Sequence, residues 1–280
     1  MHFRFLLNSI EIDLVKRVPE INQPLFQNEF AQLNEREFLL TIEGVAHFYA
    51  SDGERLQIAP IGEPDIKSIE LYLNGSVLGV LLHQKAQLTM HGSSFLYKDI
   101  TVLVCGASGG GKSTLAASFC KKGALFLTDD ITPILQREDS LFISPISDSI
   151  KLWGDSVEKL NLKDAVVSSV QNQIDKYFIK MSGNKTPSPL DLLIVLNYDN
   201  NQDLSIKELK GAEKFHVVLN QIYRKEYLQG MPSIQERYFP LLVKLCESTS
   251  VYTIARPEKL SYSLFLDEIE SLINNFQVNE

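Results

Sequence analysis

The residues best suited to chemistry lie in one short stretch, GASGGGKST, running from Gly106 to Thr114. Its spacing over Gly106 to Ser113 is G-x-x-x-x-G-K-S, after an apolar β-branched run and ahead of a helical one. Glycines let a backbone turn tightly and bring successive N–H groups onto phosphate oxygens with no Cβ in the way. The N-terminus of the following helix adds unpaired donors and the positive end of a dipole. Lys112 supplies a point charge for outer phosphates. Ser113 supplies a hydroxyl for Mg²⁺, which takes oxygen ligands and keeps several waters. The stretch Gly106, Ala107, Ser108, Gly109, Gly110, Gly111, Lys112, Ser113 and Thr114 is therefore the expected site for nucleotide phosphates.

Asp129 and Asp130 come next, at the end of an apolar run, ALFLT, that follows the loop's helix. A helix of about eleven residues rises roughly 16 Å, and a strand of about five returns roughly 16 Å. The two carboxylates are thus expected back beside the loop. One of them can hold Mg²⁺, and the other can accept the proton of an attacking hydroxyl. Neighbouring strand residues point to opposite sides, so the pair is expected to divide these jobs. His91 precedes the loop strand, and a hairpin turning at Lys98-Asp99 brings it back near Gly106. A catalytic and a purely structural histidine are both open at this position.

The elements that must position these groups alternate between strands and helices, which predicts an α/β domain over residues 89–280. Strands are expected at 89–97, 100–105, 124–128, on either side of Pro145, at 191–199 and at 251–255. Helices are expected at 112–122, closed by Gly123, and at 211–231, 233–249 (with Pro240 inside) and 261–276. A short helix is expected from DSVEKLNL, with Asp155 or Ser156 as its cap. Residues 1–88 read as a small β-rich or α+β module. Its strands lie within 38–60, with a turn at Asp52-Gly53, and a stretch over 68–85 begins as strand or helix and becomes a short packed helix.

Composition narrows the classes further. The chain has 280 residues, a net charge of −8 and 44% hydrophobic residues. That is ordinary for a globular protein with a sizeable core, and it does not favour nucleic acid as a partner. Cys105, Cys120 and Cys246 form no CxxC or Cys/His cluster, which argues against a disulfide framework or structural zinc. The apolar N-terminal run is broken by Arg4, Asn8 and Glu11, so no signal peptide is expected. No run reaches the roughly 18 apolar residues of a membrane span. A cytoplasmic protein without a membrane partner is the expectation.

The set His91-Gly92, GASGGGKST, CKKG and LTDD, in this order and close spacing, resembles the catalytic domain of the HPr kinase/phosphorylase family. It is also similar to the catalytic domain of phosphoenolpyruvate carboxykinase. The segment SPISDSIKLWGDSVEKL and the N-terminal TIEGVAHFYASDGERLQIAP resemble the shorter HPr-kinase-like proteins, including those that accompany ribosomal peptide gene clusters. The resemblance implies a P-loop kinase domain built on a central mixed sheet. It implies ATP and Mg²⁺ as cofactors and transfer of the γ-phosphoryl group to a serine of a protein or peptide, such as a ribosomal peptide precursor. It implies Asp129 as base, Asp130 with Ser113 on the metal side, and His91 and Lys112 near the reacting phosphate. A homo-oligomer is also implied by the likeness. The family's signature for phosphorolysis has no counterpart in 136–180, which speaks against that reverse activity and against HPr itself as substrate.

Lys151, Lys176, Arg224 and Arg256 are further candidate cations for the phosphoryl group, although each alone reads more readily as a surface charge. Trp153 reads as a core residue rather than a platform for a base. Two other functions fit the same residues: a kinase for a small hydroxylated molecule, and an NTP-binding regulatory module with slow hydrolysis. The adjacent aspartates favour a kinase, because a switch has no use for a base aimed at an acceptor. An LSGGQ-like stretch and the HRD and DFG signatures are absent.

Overall fold

The computed structural model describes residues 3–7, 9–171, 174–199, 203–257 and 259–278. The first part is a six-stranded sheet made of β1 (Ile12–Leu14), β2 (Phe26–Gln27), β3 (Ala31–Leu33), β4 (Glu37–Ile42), β5 (Ala46–Ser51) and β6 (Arg55–Pro60), in the order β1-β6-β5-β4-β3-β2. Residues of alternating polarity put Phe38, Leu40, Phe48, Leu56 and Ile58 on one buried face. Asp52 and Gly53, both at positive φ, turn the β5–β6 hairpin where expected. The stretch over 68–85, read as strand or helix at its start, is two helices in succession. α1 (Ile66–Tyr72) and α2 (Leu78–Gln84) are joined by a π turn, Leu73–Val77, in which Gly75 leaves helical geometry at φ −117°, ψ −108°.

The chain continues through β7 (Thr89–Tyr97), β8 (Ile100–Gly106), α3 (Lys112–Lys121), β9 (Leu125–Thr128), β10 (Ile131–Arg137), β11 (Ser140–Ile143), β12 (Ser149–Trp153) and α4 (Gly154–Lys159). There follow β13 (Val166–Ser169), β14 (Lys176–Lys180), β15 (Ser188–Pro189), β16 (Leu192–Asp199), β17 (Ser205–Glu208), α5 (Gly211–Leu219), α6 (Pro232–Ser248), β18 (Ser250–Pro257) and α7 (Tyr262–Val278). Nine of these strands form one mixed sheet, ordered β15-β11-β10-β7-β8-β16-β18-β17, with β9 also paired to β7. The strands β12, β14 and β13 form a separate small sheet. The fold is mixed α/β.

β8 and β16 sit centrally and pair in parallel, so both of their faces are covered and they read as unbroken apolar runs. Alternate residues feed two cores. Leu103, Cys105, Leu193 and Val195 face a cluster shared with the first sheet, α2 and α6. Val102, Val104, Leu192 and Ile194 face α3, α7 and the small sheet. Burial pushes the Cys105 thiol up to about 12, as befits an inert core residue.

Several details depart from the sequence expectations; β1, β2, β3, β13, β14 and β17 are strands that they do not include. The helix predicted over 211–231 stops at Leu219. Its continuation pairs with β7 instead: the His91 N–H donates to the Gln221 carbonyl at 2.7 Å, and the Tyr223 N–H to the Thr89 carbonyl at 2.9 Å. α4 begins at Gly154, and neither Asp155 nor Ser156 is its cap. Trp153 holds that position, while the Asp155 carboxylate lies in the first turn and accepts from the Ser156 N–H. β10 was not foreseen; it forms because β7 is long enough to pair with β9 and β10 in succession. Trp153 is 48% exposed rather than core.

His83 on α2 is fully buried beneath this arrangement. Nε2 lies 2.8 Å from the Tyr223 carbonyl, so the neutral ring carries its proton there, and Nδ1 lies 2.8 Å from the Tyr238 hydroxyl. Burial pushes its pKa down to about 4. The unfolded chain takes up this proton near its ordinary pKa of about 6.5, and the folded chain only near 4. Between those values the unfolded state holds more protons, so stability falls as pH falls, by at most about 1.4 kcal/mol per pH unit from this group. Urea midpoints measured from about pH 7 down to about pH 4.5 should show that slope, and His83→Gln should flatten it. Identical slopes in parent and variant would rule His83 out as the source.

Candidate active site

β8 ends at Gly106, whose φ of 132° belongs to glycine alone; a Cβ there would lie 2.3 Å from the Leu196 carbonyl oxygen of the neighbouring β16. The loop that follows closes on α3 through Gly111, also left-handed at φ 86°. It wraps around its own lysine. Lys112 Nζ donates to the carbonyls of Gly106 and Ala107, each at 2.9 Å. The side chain is buried, and that burial lowers its pKa from the ordinary lysine value.

β9 and β10 both run antiparallel to β7; the register shifts by one residue within β9, between Phe95 opposite Phe126 and Ser94 opposite Thr128, and β10 then keeps the register of that last pair, with His91 opposite Ile131. Asp129 and Asp130 lie between Thr128 and Ile131, opposite Ser93 and Gly92, and turn out of the ladder. Asp130 takes left-handed backbone, φ 71°, which Asp tolerates better than most residues. Beneath this turn a buried chain of hydroxyls, Ser94 to Thr128 to Thr132, ends on the Gly92 carbonyl.

The two carboxylates go to different partners. Asp129 Oδ1 accepts from the Ser113 hydroxyl at 2.7 Å and from the Ser93 hydroxyl, and its Oδ2 accepts from the Lys151 N–H at 2.8 Å. Asp130 Oδ2 accepts from Lys151 Nζ at 2.8 Å, and its Oδ1 lies 3.9 Å from His91 Nδ1. Burial by itself would raise the Asp130 pKa. The charge and hydrogen bond of Lys151 outweigh it and hold the carboxyl well below the usual carboxylate range. Burial likewise opposes the charge on Lys151, and Asp130 reverses that, raising its pKa. Burial, together with the nearby charge of Lys112, lowers the pKa of His91, whose ring stacks on Tyr223 at 5.6 Å.

Two cavities open on either side of this cluster. A cavity of about 240 Å³ follows the glycine loop and is walled by Trp153, Lys176, Arg256 and Tyr262. A cleft of about 880 Å³ lies on the other side, between Tyr72 and Ser76 of the kinked helix and the segment from Asn220 to Arg224. His91, Ser108, Asp130 and Lys151 line both.

All the residues singled out from the sequence meet here. Lys151 sits in the centre. Lys176 packs 5.3 Å from the Trp153 ring, and the Arg256 guanidinium lies 5.3 Å from Tyr262 and 5.1 Å from Phe265. Arg224 belongs to the larger cleft. Ser93 was missed, although two-residue alternation puts it on the same side of β7 as His91. Tyr223 and Gln221 were missed too. They reach the site only because the chain abandons α5 for β7, for which no local signal exists.

The cofactor implied by the sequence can be tested against these residues. A loop with glycines at Gly106, Gly109, Gly110 and Gly111, a lysine at its centre and a serine hydroxyl beside a carboxylate fit the phosphates of a magnesium nucleotide. Among the described residues no group of three or more His, Cys, Asp or Glu forms a metal cluster. Among the described residues no helix is long and apolar enough to cross a membrane.

No protein-family model matches the chain, and no curated protein matches it. Among solved structures, the HPr(Ser) kinase/phosphatase from Coxiella burnetii aligns with 68% of this chain and 91% of its own, at 15% sequence identity and a TM-score of 0.38, a distant likeness.

Proposed function

We propose that this chain is a phosphotransferase that moves the γ-phosphoryl group of ATP, with Mg²⁺, to a hydroxyl acceptor. One observation carries the reading: a cavity along the glycine loop and a separate cleft meet over Asp130 and Lys151. A donor and an acceptor seated in the two would face each other across one carboxylate and one lysine. A slow hydrolytic switch needs only the first cavity.

The loop is read as a P-loop, its amides and Lys112 holding the outer phosphates. Ser113 and Asp129 are read as the magnesium side. The Ser113 proton already points at Asp129, which leaves the serine's lone pairs for a cation. When bound, Mg²⁺ would neutralise charge on the β- and γ-phosphates. Asp130 is then the carboxylate that orients the acceptor hydroxyl and takes its proton. This division reverses the one implied by the family resemblance, and its support is that Asp129 is occupied by three donors while Asp130 faces the cleft. A carboxylate held ionised by Lys151 is a weak base. Phosphoryl transfer through a loose transition state asks little of the base and much of positioning. Lys151, Lys176 and His91 line the place where phosphoryl charge would develop.

A serine of a protein or peptide is the acceptor implied by the resemblance. The size of the cleft also favours a second reading, a small hydroxylated molecule, because about 880 Å³ falls within the range of small-ligand sites. Calorimetric titration of ATP with and without Mg²⁺, followed by label transfer from γ-labelled ATP, tests the core reading. Magnesium-dependent binding with transfer to an acid-stable O-phosphate is expected. Failure to bind Mg·ATP overturns the reading, and binding without any transfer returns the regulatory-module alternative.

A further inference from the structure

The larger cleft carries its own chemical signature. Asn220, Gln221, Gln229 and Gln235 supply neutral amides along its walls. Its other cations are already engaged: Lys151 with Asp130 at 2.8 Å, and Lys225 Nζ with Asn220 Oδ1 at 2.6 Å. Arg224 is held differently. Its Nη2 donates to the Ser76 hydroxyl at 3.1 Å, and its Nη1 lies 3.6 Å from Glu226 in a solvent-exposed pair of the kind that contributes little.

The backbone at Arg224 is left-handed, φ 48° and ψ 44°, where glycine or asparagine would be expected. It is tied on both sides. The Tyr223 N–H is bonded to Thr89, the Tyr223 carbonyl to His83, and the Arg224 carbonyl accepts from the Tyr227 N–H at 2.9 Å. An arginine kept in unfavourable backbone is a reason to look for a use of its side chain. The tether to Ser76 leads into the π turn at Gly75, itself a distortion of the kind often found at functional sites. The result is a planar, five-donor cation held on the wall of the acceptor cleft that Asp130 and His91 also line.

Building on the phosphotransferase reading, we propose that the acceptor carries an anionic group besides its hydroxyl, and that Arg224 binds this anion and so selects the substrate. The shared chemistry is a carboxylate or phosphate presented to a pre-organised guanidinium. It can come from a small hydroxy acid, or from a peptide serine with an acidic neighbour.

The test uses matched pairs in two arms and measures ADP release in excess over that without acceptor. One arm compares glycerate and glycerol 3-phosphate with glycerol. The other compares serine peptides flanked by aspartate with the same peptides flanked by asparagine. Each is run on the parent and on Arg224→Gly, a variant that deletes the guanidinium and relieves the left-handed backbone, so its thermal midpoint should not fall. In the arm that holds the true source, the anionic member should outpace its neutral twin, and Arg224→Gly should raise its KM by about tenfold to a hundredfold. Mg·ATP affinity by calorimetry should stay as in the parent. Neutral twins equal to anionic members, no stimulation in either arm, or a preference that survives in Arg224→Gly would each overturn the inference. A parent that binds no Mg·ATP overturns the phosphotransferase reading itself, and this inference with it.

Discussion

Asp130→Asn is expected to slow phosphoryl transfer by about 10²–10⁴-fold, the usual loss on removing a positioned base, while Mg·ATP affinity stays near that of the parent. The amide still accepts from Lys151 Nζ, so the local geometry survives, but it cannot take a proton. Asp129→Asn is expected to fail differently. Three donors converge on that carboxylate, from Ser93, Ser113 and the Lys151 backbone. An amide has one oxygen to offer them and presents N–H groups to the rest, so Ser113 is misdirected. Magnesium dependence and nucleotide affinity should fall together. Calorimetric titration of Mg·ATP into both variants, combined with single-turnover transfer rates, separates the two roles. If Asp130→Asn loses Mg·ATP and Asp129→Asn binds it but does not transfer, the assignment proposed above is reversed. Two unimpaired variants would reduce the pair to a structural turn with no part in transfer.

Lys112→Ala is expected to lower turnover by about 10²–10³-fold or more, the scale of removing one fixed donor to a developing oxyanion. Its effect on stability should have the opposite sign. Burial lowers the Lys112 pKa, so at neutral pH the folded chain holds a cation that it would more readily lose than the unfolded chain does. A base with a depressed folded pKa opposes folding at every pH where it stays charged, and that cost is relieved only as pH rises past the folded value. The alanine variant should therefore melt no earlier than the parent. Its carbonyl partners at Gly106 and Ala107 belong to a partly exposed loop that water can reach. Turnover and ATP affinity equal to the parent, in a folded variant, would remove Lys112 from the site.

The parts of this molecule that the sequence alone determined are those settled by a few adjacent residues. The glycine loop is one, because spacing and backbone freedom are local properties. The hairpin at Lys98 and Asp99 is another: both residues take positive φ, and the flanking runs are β-branched and apolar. From that hairpin and the length of α3 and β9, the return of His91 and of the aspartates to the loop was legible as simple distance. The wider site was decided by contacts between residues far apart in the chain. Lys151 pairs with Asp130 across 21 positions of sequence, and its central role depends on β12 being held against the site by the small sheet. Arg224 reaches the cleft because Gln221 and Tyr223 bond to β7 where β8 has turned away into the glycine loop, and that open stretch of sheet competes with the helix that 211–231 would otherwise continue. Trp153 reads as core by composition, yet it stands half in solvent because its strand belongs to a sheet edge beside the glycine loop. Local propensity cannot register such outcomes, since the contacts that overrule it come from other parts of the chain, Asp130 and β14 for Lys151 and Trp153 and the distant β7 for Gln221 and Tyr223.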